Sequence, residues 1–73
     1  MTRLPRSVRA ARRRGWHVVT IKRSTDHSWL GQLIRIQRAA GAVKFVNSYD
    51  GLGGGQVAFE DPNMATLIQL KFG

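Results

Sequence analysis

The chain carries four stretches in which apolar residues alternate with polar or small ones, the period of a half-buried strand. Trp16–Arg23 is β-branched and aromatic, with Val19, Ile21 and Arg23 alternating with Val18, Thr20 and Lys22. Val43–Asn47 sets Val43 and Phe45 on one side, and Gln56–Glu60 sets Val57 and Phe59 on one side. Ala65–Phe72 groups Ile68, Leu70 and Phe72 opposite Gln69 and Lys71. Each is read as a strand. Between them lie a glycine-rich connection, Tyr49–Gly55, and the turn signal Asp61-Pro62-Asn63.

Residues 28–39 fit two patterns. Ser28 caps a helix whose apolar side is Leu30, Leu33 and Ile34. Alternatively 33–37 is a strand with Ile34 and Ile36 inward, ending in a turn through Arg38-Ala39-Ala40-Gly41. Gly31 weakens the helix, so the strand is preferred and the helix kept open. The expected fold is mainly β or α+β: a small antiparallel sheet or barrel of four to five strands. Residues 16–73 form this β-rich domain. Residues 1–15 form a flexible Arg-rich arm or nascent helix, with Leu4, Val8 and Ala11 as a weak apolar stripe and Gly15 as its stop.

Charge sharpens this division. Residues 1–25 hold eight basic residues and no acidic one, whereas residues 26–73 hold four of each, so the net +8 resides in the head. A cationic arm on a neutral body seeks phosphates or an acidic protein surface. Its basic residues up to position 14 are all arginine, which favours bidentate recognition of phosphate or carboxylate. With 73 residues the core is thin, about a dozen apolar side chains. There is no cysteine for disulfides or thiolate metal ligation, and His17 and His27 are too few for a histidine zinc site. No cofactor and no metal are expected. No apolar run approaches the roughly 20 residues that span a bilayer, and no h-region follows the basic head. A cytoplasmic protein without membrane contact is expected.

Catalytic motifs do not assemble. Gly51-Leu52-Gly53-Gly54-Gly55-Gln56 lacks the Lys-Ser/Thr and helix of a phosphate loop. Its Gly54-Gly55-Gln56 matches the tripeptide of peptide-release factors, but a tripeptide within a glycine run is weak, and a hairpin loop is the plainer reading. Asp26, His27 and Ser28 are adjacent and cannot converge as a triad. Asp50, Glu60 and Asp61 sit beside turns. A non-enzymatic, monomeric binding protein is therefore expected. Arginine and tryptophan are enriched at interface hot spots, and basic residues beside aromatics suit nucleic acid. The candidate partner-binding residues are Arg12, Arg13, Arg14 and Trp16, extended by Lys22 and Arg23.

The opening MTRLPRSVRAARRRGWHVVTIKRS, the segment YDGLGGGQVAFED and the overall length resemble small phage-encoded regulators of bacterial RNA polymerase, transcription inhibitors and antiterminators of lytic phages. The resemblance implies docking at the N-terminal region of the β′ subunit inside the host bacterial cell. It also implies interference with σ-factor and promoter engagement, passage through terminators, and no catalytic residues. A general nucleic-acid-binding protein of ribosomal or chromatin-like type, acting through the basic arm, is the alternative.

Overall fold

A computed structural model describes residues 4–73 as an antiparallel sheet of three strands with helices on both faces. In chain order, α1 (Val8–Arg13) leads to β1 (His17–Ile21), α2 (Trp29–Ala40), β2 (Phe45–Tyr49), β3 (Gly55–Phe59) and α3 (Pro62–Phe72). The strand order is β1-β3-β2, so the last strand is central and both partners are edges. Val57 faces Val19 on one side and Asn47 on the other, in two antiparallel registers. β1 and β2 are therefore parallel to each other, and α2 supplies the long crossover that such a pair needs.

The pleat sends alternate side chains to opposite faces. Val19, Ile21, Phe45, Val57 and Phe59 meet Ile36 and Ala40 of α2 and Ala65 and Ile68 of α3. The Phe45 and Phe59 rings tilt against each other at 5.1 Å between centroids. Phe59, Ile21, Ile36, Ile68 and Val57 are the largest fully buried side chains, each stabilising by about 1.5–3 kcal/mol relative to exposure. The other face presents Val18, Val46 and Ala58, where Val8 and Ala11 of α1 pack beside Trp16. Ala11 and Ala58 are small, which lets a short helix approach the central strand closely.

The expectation of four to five strands is corrected to three, and the sheet stays open. Residues expected as a fourth strand form α3 instead. Asp61-Pro62-Asn63 is a helix start: the Asp61 carboxylate accepts from the Asn63 N–H at 2.9 Å, and Pro62 fills the first helical position, where no N–H is needed. Ala65 and Ile68 are then buried, while Leu70, assigned inward by the strand pattern, is 81% exposed. Residues 28–39 take the helical alternative. Ser28 accepts from the Gly31 N–H at 3.2 Å, and Gln32, Ile36 and Ala40 form a buried stripe at four-residue spacing. The apolar side of this helix is not the expected one: Leu30 and Ile34, placed there by the helical pattern, are exposed, and Ile34 was inward in the strand alternative as well.

Of the expected flexible arm, residues 8–13 form α1, capped by Ser7 accepting from the Ala10 N–H at 3.0 Å. This helix packs on the sheet through Val8 and Ala11. Arg3 lies outside the described residues. Among the described residues, no helix is long and apolar enough to cross a membrane.

Candidate interaction surface

The six residues expected to bind a partner do not form one surface. Arg12 and Arg13 occupy the last turn of α1, where the helix dipole favours cations, and Arg14 is its C-cap. With Arg9 they are exposed, while Val8 and Ala11 of the same helix are buried. Trp16 does not belong to that exposed surface. Its N–H donates to the Ala11 carbonyl at 3.0 Å, and its half-buried ring packs with Val8, Ala11 and Ala58. Trp16 is the clasp of α1 on the sheet. Lys22 and Arg23 follow the far end of β1, separated from the α1 arginines by about 16 Å of strand at the usual rise per residue.

That far end is a second, constructed surface. Loop 50–54 joins β2 to β3 and is tied from within. The Asp50 carboxylate accepts from the Leu52 and Gly54 N–H groups at 2.6 and 3.2 Å, and the Asp50 N–H donates to the Gly54 carbonyl at 3.0 Å. The buried Gln32 side chain of α2 donates to the Gly53 carbonyl at 3.2 Å, fixing the loop to the helix. The Arg23 stem lies on Gly53, where a Cβ would come within 2.7 Å of its Cγ. Gly54 rests against the Ile21 carbonyl and the Arg23 backbone nitrogen.

Gly55 is the seat of Trp29. A Cβ there would come within 2.8 Å of the indole and would collide with the Ser48 carbonyl. Tyr49 stacks on Trp29 with centroids 5.9 Å apart and planes 25° from parallel. Tyr49 is 53% exposed, Leu52 at the loop 74% and Leu30 at the start of α2 67%. The result is an apolar, aromatic end of the sheet with Arg23 beside it. Tyr, Trp and Arg are the residues most enriched at protein-binding hot spots, and grouped exposed apolar side chains mark interaction surfaces. Of these residues the sequence pointed to Arg23 as a contact, and Tyr49, Leu52 and Leu30 were not among its candidates. Tyr49 and Leu52 share the β2–β3 hairpin, and the Trp29–Tyr49 stack brings the start of α2, with Leu30, to the same end.

The remaining candidate motifs have structural roles. Gln56 lies within β3, half-buried and opposite Thr20 and Ser48, while Gly54 and Gly55 are buried. A release-factor tripeptide needs its glutamine at a free loop tip, so that reading falls. Ser24 accepts from the Asp26 and His27 N–H groups, Ser28 caps α2 and Asp61 caps α3.

No protein-family model matches the chain. Comparison with curated proteins and with solved structures finds no significant match.

Proposed function

We propose that the chain is a non-enzymatic regulator that docks on bacterial RNA polymerase, at the N-terminal region of the β′ subunit. There it inhibits initiation by disturbing σ-factor and promoter engagement, and it promotes passage through terminators. It acts in the host bacterial cytoplasm as a monomer, with no cofactor. The resemblance of the Arg-rich opening and the glycine-rich segment names the target. The observation that supports docking is the exposed group Tyr49, Leu52 and Leu30 around the Trp29 stack and Arg23. A competitor for a surface needs complementarity rather than catalysis, and apolar anchors supply affinity. The α1 arginines sit about a strand length away, placed to meet an acidic surface or the nucleic acid that the polymerase holds.

The test is reconstituted transcription with purified holoenzyme. Adding the chain lowers promoter-dependent transcripts and, added after initiation, raises terminator read-through. Unchanged initiation and termination at saturating concentration would overturn the proposal. A second reading, a general nucleic-acid-binding protein, is favoured by the solvent-facing arginines of α1. It predicts binding to naked DNA without polymerase, weakening steeply with salt.

A further inference from the structure

Residues 26–73 sum to zero charge, with four basic residues against four acidic ones, yet the fold does not interleave them. Arg35, Arg38 and Lys71 line one cleft between α2 and α3, together with Ala39 and Phe72, and no acidic residue lines it. The side-chain carboxylates lie elsewhere. Asp50 is bonded inside loop 50–54, Asp26 follows β1, and Glu60 and Asp61 join β3 to α3. Asp61 and Lys71 stand at opposite ends of α3, about 15 Å apart along its axis. A body neutral in sum is thus polarised in space.

Helix dipoles explain part of this placement, since Arg38 and Lys71 occupy the last turns of their helices. They do not explain Arg35, a turn earlier, or the meeting of all three cations on one cleft. Arg35 is also positioned. Its guanidinium carbon sits 5.3 Å from the centroid of the Phe72 ring. A guanidinium whose face rests on an aromatic ring keeps its N–H edge for a bidentate acceptor.

We propose that this cleft binds the phosphodiester backbone of a nucleic acid, independently of α1. Two arginine forks and one lysine point charge suit phosphate oxygens. An extended acidic peptide is the poorer fit, because the cleft lies between two helices and offers no strand edge for backbone hydrogen bonds. The cleft belongs to the α2–α3 layer, and α1 covers the opposite face of the sheet. The molecule therefore has two cationic faces. It can hold a phosphate tract on α2–α3 while α1 or the Tyr49–Leu52 end meets another partner.

The experiment titrates the full chain against a labelled duplex DNA and a labelled single-stranded RNA, each over a salt series. The variant Arg35→Gln/Arg38→Gln/Lys71→Gln is compared with wild type. If all three cations contact phosphates, the slope of log affinity against log salt becomes shallower by about 2.7 on duplex DNA and about 2 on single strands. A change with only one of the two nucleic acids identifies the source. Wild-type slopes retained by the variant on both, or no binding by wild type, would overturn the proposal. So would polyglutamate displacing the nucleic acid at equal charge concentration. A second measurement needs no variant: backbone amide shifts of wild type on adding each nucleic acid. Shifts at Arg35–Ala39 and around Lys71 support the cleft, and shifts confined to residues 4–16 overturn it. Polymerase docking is not read by either assay, so the two proposals fail separately.

Discussion

Gly55 shows how one missing Cβ organises a surface. Its place under Trp29 and against the Ser48 carbonyl leaves no room for a methyl group. Gly55→Ala is expected to lower stability by about 1–3 kcal/mol through overpacking and to disturb the Trp29–Tyr49 stack. Gly51 sits in open space, with only its φ of +81° against an L residue. Gly51→Ala is expected to cost about 1 kcal/mol, a left-handed penalty without a clash. Urea titration of both variants checks the order, and near-ultraviolet circular dichroism checks the stack. The glycine run was legible as a turn because glycine admits positive φ, and Gly51 and Gly53 do take it. The roles of Gly54 and Gly55 were not legible. They depend on which strand and which helix lie beside them, and no local pattern encodes that.

The elements were partly legible. β1, β2 and β3 arise close to where alternation placed them, because each has one face on the α2–α3 core. The C-terminal segment misled for a physical reason: α3 is apolar on two sides. Its buried residues Ala65 and Ile68 share the helix with exposed Leu67 and Leu70, so its pattern imitates a strand. The caps decide it: Asp61 was in view as a turn residue, and Ser28 as the cap of the helical alternative. Ser28→Ala and Asp61→Ala should each cost about 1 kcal/mol by leaving a helix N–H without its side-chain acceptor. Thermal unfolding of the two variants and their combination measures this, with near-additive losses expected for separate helices. α1 is the element most dependent on a small contact, since Val8, Ala11 and Trp16 meet the sheet at Ala58. Ala58→Leu is expected to push α1 off and move the Trp16 emission to the red in a Trp29→Phe background, while α2 and α3 keep their core. An unshifted emission would mean that α1 tolerates the larger side chain.

At the scale of the whole molecule, two cationic faces and an apolar loop end occupy different places. The α1 arginines lie on one face of the sheet, the Arg35–Arg38–Lys71 cleft on the other, and Tyr49, Leu52 and Leu30 at the loop end. The head's excess charge was plain in the sequence, whereas the second cationic face was hidden by a sum of zero. Arg12 and Arg13 are solvent-facing, so replacing both by alanine should leave the fold intact and weaken partner binding mainly at low salt, where long-range attraction is least screened. Docking through the apolar end should instead persist at high salt. The decisive measurement is direct binding of the chain to purified, nuclease-treated RNA polymerase, comparing wild type with Tyr49→Ala/Leu52→Ser at moderate and high salt. The account predicts a one-to-one wild-type complex that survives high salt and an affinity loss of about tenfold or more in the folded double variant. Full affinity in that variant, or a wild-type complex that vanishes with nuclease or salt, would contradict it.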